Sequence, residues 1–284
     1  MNDYQRPSGF SLMPEAVKNI LIINGLLFLA TIVLGNKGID LASILGLHYW
    51  GGSDFRFFQF ITYQFMHGGF AHIFFNMFAV WMFGTAIEQV WGSRRFLTYY
   101  LLTGVGAALC HYGLFYFELQ PLQALFETYQ QSPTVENLET LLHSPLLHTY
   151  WSAEVESSIR SFVEEFNVQY SADPEKAMIY SVGYVKDLEN LIMNAPLVVG
   201  ASGCVFGLLL AYGMLFPNNV IYIYFALPIK AKYFVILYGA IELFSGIANV
   251  RGDNVAHFAH LGGLITGFLL IQFWRNQNRR KFRY

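Results

Sequence analysis

Gly200-Ala201-Ser202-Gly203-Cys204-Val205-Phe206-Gly207 opens an apolar stretch that runs to Phe216. A helix built on it carries a hydroxyl in its first turn. It also carries two glycines four residues apart, which share one face. Serine is common at the interfaces of membrane helices, where small residues let backbones approach, so packing alone accounts for Ser202 taken by itself. A hydroxyl is a weak nucleophile and becomes reactive only with a base in hydrogen-bond reach. The flanking sequence must therefore be searched for a base.

The 284 residues are 55% hydrophobic and 18% aromatic but only 13% charged, about half the charge of a soluble domain. That balance predicts a membrane protein. A hydrocarbon core of about 30 Å needs about 20 apolar residues in a helix. Six segments qualify, roughly 17–36, 69–91, 96–117, 200–216, 232–250 and 255–274. The first has no small-residue cleavage site behind it and reads as a retained span rather than a secretory signal. The aromatic run Val220 to Leu227 is too short to cross and reads as an interfacial connector rather than a strand. Residues 119–193 differ in kind, with 11 acidic and three basic residues and apolar positions at helical spacing, such as Ile159, Phe162, Val163 and Phe166. Pro133, Pro145 and Pro174 divide that segment into three or four amphipathic helices.

The expected fold is an all-α polytopic membrane protein, a bundle of six transmembrane helices with a helical extracytoplasmic insertion between helices 3 and 4. Its parts are an N-terminal segment 1–16, a first core segment 17–118, the insertion 119–193, a second core segment 194–274 and a basic tail 275–284. Cations near the span ends set the topology. With the N-terminus inside, Arg6, Lys18, Arg94, Arg95, Lys230, Lys232 and the five cations of the tail are cytoplasmic. Lys37, Arg56, Arg251 and the three cations of the insertion are outside. Both termini are then cytoplasmic, and Ser202, His72 and His260 fall at a common depth near the outer face. Cys110 and Cys204 lie inside apolar runs, which predicts no disulfide framework.

His260 supplies a base. On the sixth segment Ala256, His260, Gly263 and Gly267 form one stripe, with the histidine near its top. This stripe and the Ser202, Gly203, Gly207 stripe would let two helices meet with Ser202 against His260. Neutral imidazole suits the role of general base. His72 and Asn76 are four apart on the second segment, and both can donate hydrogen bonds to a developing oxyanion, as can the Ser202 backbone N–H.

These residues resemble the rhomboid family of intramembrane serine proteases. The resemblance is carried by Gly200-Ala201-Ser202-Gly203, by Ala259-His260 with Gly263, and by His67-Gly68-Gly69-Phe70-Ala71-His72-Ile73-Phe74-Phe75-Asn76-Met77. Gly84, Glu88 and Gly92 also look like the family's pattern. It covers all six segments and leaves 119–193 outside. It implies Ser202 as nucleophile and His260 as base and acid, in a dyad with no acid partner. It implies His72 and Asn76 as oxyanion hole, and transmembrane proteins in the bilayer as substrates, cut near the outer face. The family's Trp-Arg pair in the first loop is absent, although Arg56 is close by.

Simpler readings attach to the neighbours. His257 lies off the Gly263, Gly267 stripe, which favours His260. His67 reads as holding its loop through hydrogen bonds, Glu88 as pairing with Arg94 or Arg95, and Cys204 as packing. Glu242 is an intramembrane acid and so a functional candidate, lining the wet side or pairing with a neighbour. No carboxylate or cysteine stands at ligand spacing beside His72 or His260, so no metal is expected. No cofactor or nucleic-acid partner is expected either, although the insertion 119–193 could recruit a protein. The alternative function is a catalytically silent relative that binds and escorts membrane clients; retention of both Ser202 and His260 speaks against it. A transporter is disfavoured by the lack of paired inverted repeats. No transit peptide is visible, and a bacterial inner membrane is the expected location.

Overall fold

A computed structural model describes residues 13–149, 153–195, 197–223, 226–248 and 256–281. Arg6, Arg251 and Arg283, used above, lie outside the described residues. The first unit comprises residues 1–46, 58–111 and 198–284. It opens with α1 (Glu15–Gly35), followed by the short α2 (Leu41–Leu45) and α3 (Gln59–Thr62). The second expected span is α4 (Phe70–Ala79), a π-turn over Val80–Gly84 and α5 (Thr85–Trp91), which run on as one rod. Among the described residues, five helical segments are long and apolar enough to cross a membrane, at 15–35, 70–91, 93–131, 231–248 and 257–277. The segment that opens with Ser202 is shorter than expected, an apolar helix of 14 residues.

The third expected span does not stop near 117. It continues as α6 (Ser93–Gln131), 39 residues with Pro121 inside the helix. At 1.5 Å per residue this is about 58 Å of helix, well beyond a hydrocarbon core of about 30 Å. The boundary placed at 118 therefore falls inside one continuous helix. After it come α7 (Val135–Leu142), α8 (Pro145–Thr149), α9 (Ala153–Ala172) and α10 (Pro174–Asn194). The caps are locally encoded: the Thr134 hydroxyl accepts from Asn137 N–H, and the Asp173 carboxylate from Lys176 N–H ahead of Pro174 at the first helical position.

Residues 47–57 and 112–197 make the second unit. Its core is aromatic. Phe162 stacks on Tyr184 with ring centroids 3.8 Å apart, and the Tyr129 and Ser181 hydroxyls are hydrogen bonded at 2.6 Å. The stretch 47–57 was expected to belong to a loop of the bundle. It packs in this unit instead, because Tyr49 sets its ring edgewise against Tyr112 and Phe115.

The remaining helices of the first unit are α11 (Ser202–Leu215), α12 (Ala231–Ala248) and α13 (His257–Lys281). The connector 220–230 corrects the sequence reading, since Val220–Ile223 and Leu227–Lys230 pair as an antiparallel hairpin. The β-branched residues Val220, Ile221 and Ile223 favour this local structure. The core of the unit gathers Val17, Ile20, Val80, Ile87, Phe96, Tyr99, Tyr100 and Leu208. Around α11 burial is nearly all-round, from Gly203 to Gly213, whereas Leu26 on α1, Phe75 on α4 and Ile236 on α12 are exposed. Apolar side chains turned outward on the long helices suit lipid, while the short helix with the hydroxyl is sheltered by protein.

Glu88 also differs from expectation. Its carboxylate accepts from the backbone N–H groups of Ala16 and Val17 at 2.9 and 2.8 Å and from the Ser93 hydroxyl at 2.6 Å, so it caps α1 rather than pairing with a cation. Arg95 instead lies over the Trp274 ring, 4.3 Å from its centroid, and beside Trp91.

Candidate active site

Ser202 is the first residue of α11, and the turn before it is built on glycine. Gly200 has φ +126°, a region that side-chain-bearing residues rarely adopt, and its N–H donates to the Tyr63 carbonyl at 2.9 Å. Tyr63 is itself pinned by its hydroxyl, which donates to the Gly104 carbonyl of α6 at 2.7 Å. A β-carbon at Gly200 would lie 2.6 Å from His72 Nε2 and 3.9 Å from Asn76 Nδ2. His72 and Asn76 thus converge on the turn that precedes Ser202. Asn76 is buried and His72 half-buried. The Ser202 N–H belongs to the first helical turn, whose N–H groups have no intrahelical acceptor, at the positive end of the helix dipole.

The Oγ of Ser202 lies 2.8 Å from Nε2 of His260. The imidazole is buried and stacks on Phe206, one turn along α11 from Ser202, with ring centroids 4.3 Å apart and planes 10° from parallel. Glycine makes this approach possible. A β-carbon on Gly263 would overlap the Gly203 carbonyl oxygen, and one on Gly267 would meet the Tyr99 hydroxyl and the Gly207 Cα. The α11 glycines face a second neighbour besides α13. β-Carbons at Gly203 and Gly207 would meet Ala107 at 2.5 Å and Thr103 at 2.7 Å, both on α6. Cys204 packs in the same layer, its thiol donating to Gln64 Oε1 at 3.3 Å.

The other nitrogen of His260 corrects the expectation of a dyad with no acid partner. Its Nδ1 is 2.9 Å from Glu242 Oε2, and the same oxygen is 2.6 Å from Nδ1 of His257. Glu242 is buried on α12. A carboxylate oxygen accepts, so both Nδ1 atoms carry hydrogen, and neutral His260 turns the lone pair of Nε2 towards the Ser202 hydroxyl. The statement that no carboxylate stands beside His260 therefore holds only along the chain. In space Glu242, His257 and His260 put their ligand atoms within 4.8 Å of one another. Contacts of 2.6 and 2.9 Å are hydrogen-bond lengths, whereas tetrahedral zinc would spread its ligand atoms to about 3.3 Å.

His67, ahead of α4, sets its ring edgewise to His72 with centroids 4.9 Å apart. Neither ring nitrogen makes a hydrogen bond of good geometry among the described residues, and the backbone of Phe65 is the polar group that acts on the ring. Burial first, and then the neighbouring His72, push its pKa down to about 4, with the Phe65 backbone acting in the opposite sense.

The residues that line this constellation fall within regions shared with known proteins. The Rhomboid domain model matches residues 54–118 and 174–277, more than half of the chain. The match lapses over 119–173, inside the second unit, and resumes at the start of α10. Rhomboid protease GluP of Bacillus subtilis (strain 168) is 43% identical over 47 residues, which are 16% of this chain and 9% of that protein. The chain thus aligns with under a tenth of the length of that relative.

Proposed function

The chain belongs to the rhomboid family, and from that premise we propose that it is an intramembrane serine endopeptidase. The observation that carries the proposal is the 2.8 Å contact between Ser202 Oγ and His260 Nε2. In this reading Ser202 attacks the carbonyl of a peptide bond in or next to a substrate's transmembrane segment, and its proton passes to His260 Nε2. The oxyanion is held by His72, Asn76 and the Ser202 N–H. His260 returns the proton to the leaving amine, then activates the water that hydrolyses the acyl-serine ester. The helix-start position of Ser202 supports access of that water from one membrane face.

The same reading takes α11 as a sixth, short span and sets both termini in the cytoplasm of a bacterial cell, with 119–193 outside. Burial of α11 within the bundle supports counting it as a span, because protein rather than lipid surrounds its short length. Partner recruitment by 119–193 is compatible with the acidic balance of that segment.

The test is covalent labelling by a fluorophosphonate, with cleavage of a transmembrane model substrate, in liposomes. Wild type should label and cut, and Ser202→Ala and His260→Ala should do neither. Labelling that survives Ser202→Ala overturns the nucleophile. A wild type that binds membrane clients but neither labels nor cuts returns the chain to the silent binding reading.

A further inference from the structure

Glu242 is an acid buried on an apolar helix, and a carboxylate there persists only if its charge is met by hydrogen bonds or an ion pair. Among the described residues its hydrogen-bond partners are two imidazoles of α13, one turn apart, and one of them is the base of the proposed reaction. A single oxygen, Oε2, receives both Nδ1 contacts, at 2.6 Å from His257 and 2.9 Å from His260. On the far side of the His260 ring, Nε2 meets Ser202 Oγ. The four groups thus form one line, from His257 through Glu242 and His260 to Ser202.

We propose that Glu242 is the positioning residue of this site, holding His260 in the Nδ1–H tautomer and offsetting the positive charge of its imidazolium, with His257 bracing the carboxylate. The inference rests on the protease reading above and deepens it from a dyad to a triad. Its physical content is proton placement. A neutral imidazole carries one proton, and only the tautomer with that proton on Nδ1 leaves Nε2 free to accept from Ser202. Stacking on Phe206 fixes the plane of the ring but is indifferent to the tautomer, whereas a carboxylate facing Nδ1 selects it. When the Ser202 proton reaches Nε2, the imidazole becomes a cation beside the carboxylate. The Nδ1 proton stays where it is, and Glu242 takes none. His257 holds the same oxygen from α13, so the carboxylate cannot swing away without losing two hydrogen bonds.

A merely structural staple between α12 and α13 would use the same contacts, so the experiment must read the proton. Wild type, Ser202→Ala, Glu242→Gln, Glu242→Asp and His257→Gln are assayed as full-length protein in liposomes for kcat, KM and the pH dependence of kcat/KM, with thermal melting alongside. Glu242→Gln is expected to lower kcat about 10²- to 10⁴-fold with KM nearly unchanged. Glu242→Asp restores part of that loss, and His257→Gln gives a smaller one.

Removal of the carboxylate also withdraws the anion that faces the imidazolium formed in the reaction, so the pH profile of kcat/KM differs between Glu242→Gln and wild type. Among the described residues, the other titratable groups near His260 are His257 on its own helix, His72 on α4 and His111 on α6. They are the same in both proteins. A kcat within twofold of wild type, or a pH profile of kcat/KM unchanged from wild type, overturns the proposal. If Glu242→Gln fails to fold, ¹⁵N-histidine spectra of the wild type decide. An N–H-type Nδ1 with a lone-pair Nε2 at His260, assigned against His260→Ala, supports it, and the reverse tautomer sinks it. A wild type with no Ser202-dependent activity fails the protease reading itself and takes this inference with it.

Discussion

Gly263 packs its bare α-carbon against the backbone of Gly203, so closely that a β-carbon there would overlap the Gly203 carbonyl oxygen. Because His260 is three residues before Gly263 and Ser202 one before Gly203, this contact sets the spacing of the reacting pair. A clash with backbone cannot be relieved by a rotamer, so the helices must part. Gly263→Ala is expected to destabilise the fold by about 1–3 kcal/mol and to lower the cleavage rate by about a hundredfold, the scale of a 1 Å misplacement. Gly113→Ala is the control, since a β-carbon at Gly113 meets nothing within 4 Å. Melting curves and turnover on a transmembrane substrate check both. Equal activity in Gly263→Ala and wild type would refute the spacing argument.

The turn at Gly200 links the proposed nucleophile, Ser202, to the two residues proposed for the oxyanion. Asn76→Ala should lower kcat by about 10²- to 10³-fold with little change in KM, as expected for a donor that acts in the transition state. Gly200→Ala should do comparable damage by another route, because its β-carbon would be forced onto His72 Nε2 in a backbone conformation that alanine resists. Steady-state kinetics separate the two. Asn76→Ala leaves the melting temperature near wild type, and Gly200→Ala lowers it. A KM effect without a kcat effect in Asn76→Ala would place that side chain in substrate binding instead.

The residues of the candidate site were legible because small-residue stripes and the i, i+4 pair His72 and Asn76 are local patterns, and the resemblance to the family rests on those same local motifs. Contacts that depend on how two helices are rotated against each other were not. Glu242 stands 18 residues from His260 across a loop, and nothing in its neighbourhood shows that its oxygen faces Nδ1. Glu88 caps a helix end 71 and 72 residues earlier in the chain, a partner that no local spacing encodes. The expected boundary at 118 cut short a helix that contains Pro121. Proline disfavours a helix interior, yet the rest of the 39-residue helix outweighs the one lost hydrogen bond. In the hairpin 220–230 the length argument against a span was sound but said nothing against two paired strands.

Glu88 offers a stability prediction separate from the chemistry. It is buried, and its loss would leave the first-turn N–H groups of Ala16 and Val17 without their acceptor at the positive end of α1. Glu88→Ala is expected to destabilise the protein by about 2–4 kcal/mol, with Glu88→Gln in between because one amide oxygen can still accept. Activity per folded molecule should stay at the wild-type level. Thermal unfolding in detergent, with active-site labelling to count folded protein, makes the comparison. A wild-type melting temperature in Glu88→Ala would show that water caps α1 equally well.

His67 gives the fold a pH dependence whose sign is fixed. In the unfolded chain its imidazole titrates near 6.5, and in the folded protein burial and then His72 lower this to about 4. Above pH 6.5 neither state binds the proton, and the stability contribution is full. As pH falls from 6.5 towards 4, the unfolded chain takes up a proton that the folded protein refuses. Stability therefore declines by up to about 1.4 kcal/mol per pH unit, or about 3 kcal/mol across the window. His67→Phe keeps an aromatic edge against His72 and removes the titrating group, so it should flatten part of the decline between pH 7.5 and 5 in melting or denaturant midpoints. An unchanged slope in His67→Phe would assign the acid sensitivity to a different histidine.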